Sequence, residues 1–346
     1  MAGLTADERA ALLDSLRRLL ADRCAESDVR RIMASETGHD AALWRALADL
    51  GVVGLTVPEQ HGGAGLGAIE LELVMEAAGA ALLPAPLLST AIAAALLDGE
   101  RLAALAGGYS IAAVAFAGRD DWTGRGDVRR DGAGLAGTAR FVPDAAIADT
   151  ILVTLDDAVF AVAREDAEIV PLPVFDRTRR LADVAFRGPA PLIGDGTRIA
   201  AARDIALVGL AGEQAGGARR ILDMTVDYAR ERHQFGRAIG SFQAIKHMAA
   251  DLLLEAESAT SAARDAARQV AEDTPARAES VALAAFACAD AFVRCAKDGI
   301  QMHGGIAFTW EHPAHLYLRR ARSAAQLYGD SDHWRERYVR ALEVEA

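Results

Sequence analysis

From Thr197 onward the sequence carries helical periodicity almost without interruption, and the interruptions are nearly all glycine or proline. The spacing predicts helices over residues 197–231, 240–272, 276–300, 312–326 and 331–344. Gly236 and Gly240, Thr274-Pro275, Gly304-Gly305 and Gly329 supply the breaks. Long helices joined by short loops pack as antiparallel neighbours, so this part of the chain is expected to form a bundle.

Upstream the pattern differs. Residues 1 to about 97 read as helices, with Trp44, Leu47 and Leu50 in an apolar stripe capped at Gly51. A turn-rich stretch from Pro58 to Gly65 leads into an apolar helix from Ala68 to Leu82, stopped by Pro84 and Pro86. Between about Leu105 and Pro191, the runs Ser110 to Phe116, Ile151 to Thr154 and Val159 to Val162 read as strands. Arg119 to Gly134 is expected as a hairpin loop, and Asp176-Arg177-Thr178-Arg179 as a turn held by side-chain-to-backbone bonds.

A chain of 346 residues, 52% hydrophobic and 25% charged, buries a large core and divides into two or three regions. Its net charge of -12 disfavours a nucleic-acid or anionic-membrane partner. The apolar runs fall short of the roughly 20 residues that span a bilayer. Residues 1–23 place leucines at helical spacing between charges and lack the apolar block of a signal peptide, so a cytoplasmic location is expected. Cys24, Cys288 and Cys295 do not make a disulfide framework. His247, His303, His312 and His315 lack the partners of a zinc pattern, and no metal is expected.

Several segments, in order, resemble the acyl-CoA dehydrogenase family over nearly the whole chain. They are Trp44 to Gly51 followed by Val57-Pro58-Glu59 and Gly62-Gly63; Leu83-Pro84-Ala85-Pro86-Leu87; Tyr228 to Gly236, which contains Arg232-His233-Gln234-Phe235-Gly236; Phe242-Gln243; and Gln301-Met302-His303-Gly304-Gly305. The resemblance implies an α+β, mainly α fold. It has an N-terminal helical domain (1–104), a small middle β-barrel-like domain (105–195) and a C-terminal four-helix bundle (196–346). It also implies FAD bound across a subunit interface, with Arg232, Phe235, Gln243, Gln301, Gly304 and Gly305 at the adenine and diphosphate end. The chemistry suits those residue types. A guanidinium donates paired hydrogen bonds to a diphosphate, and glycines let backbone amides come close to it.

The departures from the family pattern carry equal weight. The family holds the flavin ring through a Gly-Ser-Asp stretch and a Trp-Ile-Thr or Trp-Ile-Ser stretch. The first region here reads Ala115 to Asp121 without a Ser-Asp pair, and the second reads Phe141-Val142-Pro143-Asp144, where proline offers neither hydroxyl nor N–H. The glutamate that removes the substrate's α proton precedes a glycine in most relatives; Gly329 or Tyr328 stands there. In a minority it lies on the long helix before the Arg-x-x-Phe-Gly motif, where Ala206 stands.

Two substitutes remain. Glu213 lies on the same helix face as Ala206, in a stripe with Gly209, Gly212, Gly216 and Gly217, and is otherwise expected to pair with Arg219, Arg220 or a cross-helix donor. Asp330 follows the vacant position. Arg319, Arg320 and Arg322 are expected in inter-helix or inter-subunit ion pairs rather than on phosphates.

The favoured reading is an FAD-linked desaturase of acyl-CoA thioesters, acting as partner subunit to a second acyl-CoA dehydrogenase chain in an α2β2 assembly. An electron-acceptor flavoprotein would reoxidise the assembly. The alternatives are a self-sufficient homo-oligomer with Glu213 as base and a non-catalytic structural subunit.

Overall fold

A computed structural model describes residues 4–117 and 127–345. Residues 118–126, the first half of the hairpin loop expected over Arg119 to Gly134, lie outside the described residues, and the rest of that stretch contains a short strand at Arg129–Asp131 rather than loop alone. Two compact units emerge. The first gathers residues up to Leu71 together with Pro84–Leu207; the second joins Glu72–Leu83 to the chain from Val208 onward.

The first unit opens with α1 (Ala6–Arg23), α2 (Glu26–Ala34) and α3 (Ala41–Asp49). A capping box starts α1: the Glu8 amide donates to the Thr5 hydroxyl and the Thr5 amide to the Glu8 carboxylate. Trp44 and Leu47 are buried as their spacing predicts, and Gly51 takes the positive φ of a helix C-terminal glycine. α4 (Ala68–Ala80) begins where Glu70, buried, accepts from Arg9 at 2.7 Å and from the Gly67 amide at 3.2 Å. α5 (Leu87–Leu96) and α6 (Gly99–Ala106) follow.

Among the described residues the strands of this unit are β1 (Ala112–Phe116), β2 (Arg129–Asp131), β3 (Gly134–Pro143), β4 (Thr150–Leu155), β5 (Ala158–Ala163), β6 (Ala167–Pro171), β7 (Leu181–Phe186) and β8 (Leu192–Asp195). They form two four-stranded sheets, ordered β1-β4-β5-β8 and β2-β3-β7-β6, and no closed barrel among the described residues. β1, β4 and β5 are buried along nearly their whole length, so they read in sequence as continuous apolar runs. β3 is irregular between Ala139 and Val142, and the extra residue turns Phe141 outward at a φ of 57°. The Asp176 turn takes the expected form, its carboxylate accepting from the Thr178 amide and hydroxyl.

The second unit contains α7 (Thr197–Glu231) from Val208 on, a hairpin of β9 (His233–Gln234) and β10 (Arg237–Ala238), and the helices α8 (Gln243–Glu272), α9 (Arg277–His303), α10 (Ala314–Ala324) and α11 (Ser331–Glu345). Small residues let its helices come close. A Cβ at Gly212 would lie 2.5 Å from the Glu72 carbonyl oxygen, one at Gly216 1.9 Å from that of Glu76, and one at Gly79 2.0 Å from that of Glu213. The glycine stripe on α7 is therefore a contact with α4. On α9 the Cys288 and Cys295 thiols donate to carbonyls of α8, and burial pushes Cys295 up to about 12, so it stays a thiol.

Candidate functional site

The Arg232 segment is built by a tight reversal. β9 and β10 pair directly, leaving Phe235 and Gly236 as a two-residue loop with φ of 54° and 78°. Two positive φ values are what a type I′ hairpin turn requires. Glycine meets that demand freely; phenylalanine meets it at a cost, and such strain tends to mark functional positions. The ring of Phe235 is 91% exposed. Arg237 covers Phe242 beneath it at 4.0 Å from the ring centroid. Arg232 itself is exposed and forms no ion pair among the described residues, while its backbone is tied by bonds to Tyr228 and Ile239.

The second motif sits at the C-terminus of α9. Gln301 is exposed, and Gly304 ends the helix at φ 69° and ψ −148°, a conformation open in practice to glycine alone. Open space surrounds the Cβ positions of both Gly304 and Gly305. Between them and Gln301, His303 turns inward and stacks on Tyr228 with ring centroids 4.6 Å apart. The structure thus brings the Tyr228–Gly236 segment and the Gln301–Gly305 loop together. Gln243, the first residue of α8, is exposed and within 2.8 Å of the His247 ring. An exposed guanidinium, side-chain amides and two glycines with unobstructed backbone suit an anionic dinucleotide.

Glu213 has a different environment. It is buried, and the Arg320 guanidinium, itself 2% exposed, donates to it at 3.1 Å and to the Leu83 carbonyl at 3.3 Å. One turn earlier on α10, the Tyr317 hydroxyl donates to the Ala80 carbonyl at 2.7 Å. α10 therefore satisfies the Ala80 carbonyl that ends α4 and the Leu83 carbonyl just past it. This cross-helix donor is a partner of Glu213. Arg219 instead pairs with Asp223 and Glu257. A proton taken up at Glu213 would cost the charge pairing of a dry interior.

The other candidate positions offer no substitute. Ala206 is fully buried. Tyr328 is buried, and its carbonyl accepts from the Trp334 indole. The Asp330 carboxylate accepts from the His333 amide and so caps α11. In the β module Pro143 is buried and paired with Leu181, and the Asp144 carboxylate accepts from Ser89. Pro143 cannot donate to a flavin ring.

One buried carboxyl gave no sign of itself in the sequence. Glu72 is 1% exposed, and one of its oxygens has no hydrogen-bond partner. Burial, and secondarily the neighbouring Glu76, raise its pKa to about 8, with Arg264 opposing. The folded state thus holds a proton that the unfolded chain loses near the ordinary glutamate value. This contribution is fully favourable below about pH 4.5 and is lost as pH rises to about 8. Glu72→Gln should therefore raise the melting temperature at pH 8 and leave it nearly unchanged at about pH 4.5. Equal effects at both pH values would contradict the assignment.

The domain models of acyl-CoA dehydrogenases match residues 196–343 (C-terminal domain) and 6–99 (N-terminal domain). Acyl-CoA dehydrogenase IpdE2 of Mycobacterium tuberculosis is 37% identical over 328 residues, 93% of each chain. Among solved structures, the ChsE4-ChsE5 complex from Mycobacterium tuberculosis superposes with a TM-score of 0.89 at 29% identity, covering 99% of each chain. A Tcur3481-Tcur3483 steroid ACAD superposes with a TM-score of 0.88 at 27% identity, covering 98% of each. The fold is that of FAD-dependent oxidoreductases acting on CoA thioesters, and the chain belongs to the acyl-CoA dehydrogenase family. Among the described residues no helix is long and apolar enough to cross a membrane, and no cluster of His, Cys, Asp or Glu would hold a metal.

Proposed function

We propose that this chain is the partner subunit of a heteromeric acyl-CoA dehydrogenase, lending the adenine and diphosphate rim of a shared FAD site. A second, complete subunit supplies the ring cradle and the base. One observation carries the reading: the rim residues stand open to a ligand, while Glu213 is engaged by Arg320 and the other base positions hold none or a helix cap. Bound FAD would supply the hydride acceptor for α,β-desaturation of a CoA thioester.

The chain's own residues have separable tasks. Arg232 donates to the diphosphate; Gly304 and Gly305 let the backbone approach it; Gln243 and Gln301 orient it with side-chain amides. Phe235 offers an exposed ring to the adenine. Two of the most similar structures are named for two components, and one of those is called a steroid enzyme. That favours a bulky steroid-type thioester as substrate of the assembly.

Arg232→Ala should lower the FAD content of the purified two-subunit complex at least several-fold, measured by absorbance near 450 nm after gel filtration. Undiminished flavin would reject the rim assignment. In the same complex Glu213→Gln should leave turnover per folded complex intact. A loss of turnover with the fold preserved would favour the self-sufficient enzyme with Glu213 as base.

A further inference from the structure

We infer that His303 is a positioning residue: its ring, stacked on Tyr228, clamps the Gln301–Gly305 loop onto the segment that carries Arg232. The two motifs are far apart in sequence, and the structure shows a continuous path between them. His303 lies 4.6 Å from the Tyr228 ring with planes 28° apart, and the His312 ring lies 4.5 Å away at a tilt of 56°, itself 6.2 Å from the Tyr228 ring. The Arg232 amide donates to the Tyr228 carbonyl at 2.8 Å, and the Ile239 amide to the Arg232 carbonyl at 2.8 Å. A displacement of the His303 ring is therefore felt at both ends of the hairpin. The consequence for FAD rests on the rim reading proposed above; the clamp itself does not.

The chemistry of the ring makes the clamp conditional. Its Nδ1 faces the Gly299 carbonyl at 2.7 Å, which requires the proton on that nitrogen. Nε2 is then an acceptor, buried and without a hydrogen-bond partner, on a side chain from a residue only 4% exposed. Among the described residues, the rings in contact with it are the Tyr228 phenol from α7 and the His312 imidazole from the turn before α10, and Nδ1 faces the carbonyl of its own helix. None of these offers Nε2 a negative charge. Burial holds the imidazole below its ordinary value of 6.5, against the opposing pull of the Gly299 carbonyl. A depressed histidine contributes stability that is complete above the unfolded value and declines as pH falls through the folded one. The clamp is thus closed at neutral pH and opens on acidification, loosening the rim on one side of the nucleotide.

Hydrogen exchange on the full chain tests this without FAD. His303→Ala should speed exchange of the Arg232 and Ile239 amides by about tenfold while leaving the α8–α9 core protected. His303→Phe keeps a ring that stacks but does not titrate, and should restore the wild-type rate. Moving wild type from about pH 7.5 to about pH 5.5, with intrinsic rates corrected, should reproduce the acceleration, and His303→Phe should abolish that pH response. If His303→Ala does not fold, the wild-type and His303→Phe comparison decides alone. Unchanged exchange at Arg232 and Ile239, or an equal pH response in His303→Phe, overturns the proposal. FAD content of the two-subunit complex, measured in parallel, separates the two claims. A clamp that responds as described while FAD is retained regardless would refute the nucleotide rim and leave the positioning role standing.

Discussion

Replacing Arg320 with methionine should cost about 3–5 kcal/mol of folding stability, read as a lower urea midpoint, although the side chains are of similar length. The guanidinium is buried with Glu213 and also serves the Leu83 carbonyl. Its removal leaves a carboxylate in a dry interior and the Leu83 carbonyl without that donor. Most of the expected loss is the penalty of a buried carboxylate deprived of this cation rather than the value of the pair. The double change Arg320→Met with Glu213→Leu should accordingly recover most of the stability, since a buried ion pair exchanged for apolar groups of like volume is often neutral or better. If the single change costs less than about 1 kcal/mol, as an exposed ion pair would, the interior pairing is wrong.

The second large effect comes from a single methyl group. Gly216→Ala puts a Cβ 1.9 Å from the Glu76 carbonyl oxygen, where backbone on both sides must give way. Overpacking of this kind costs about 1–3 kcal/mol and sometimes more. Gly305→Ala is the matched control, because its Cβ meets nothing within 4 Å. It should leave the thermal transition of the chain where it was, yet weaken FAD retention in the assembled complex by crowding the backbone's approach to the diphosphate. Equal destabilisation by both changes would mean that α4 and α7 are not held at glycine distance.

What was legible in the sequence follows physical range. The glycine and proline breaks between the helices of the second unit act within a few residues, and α9 ends directly at Gly304; α7, expected over 197–231, spans Thr197–Glu231. β4 and β5 were readable as buried apolar runs. β3 and β7 were harder, because one carries a bulge and the other alternates buried with half-buried positions. α6 (Gly99–Ala106) was too short to stand out from the surrounding alanines and leucines. The glycine stripe announced a close approach without saying that α4 was the neighbour. Neither Arg320 as the partner of Glu213 nor Tyr228 as the partner of His303 had a local signal. Each joins residues brought together only by packing of the bundle, and Glu72 looked like one more charge on a helix.

The gap in the catalytic pattern was visible as missing residue types: a proline in the flavin strand and no carboxylate at either base position. The structure adds what fills those places. Glu213 is committed to an ion pair, Asp330 to a helix cap, and Pro143 to the end of strand β3, paired with Leu181 and with no N–H to give. The retained motifs are, by contrast, open at the surface, where Phe235 holds an unfavourable backbone angle and an exposed ring.

The central claim is tested most directly by the visible spectrum of the purified chain, alone and then mixed with its complete partner subunit. The account predicts a colourless protein by itself, and stoichiometric flavin absorbance, bleached by acyl-CoA, once the two chains assemble. Tightly bound flavin in the isolated chain that bleaches with acyl-CoA would contradict it.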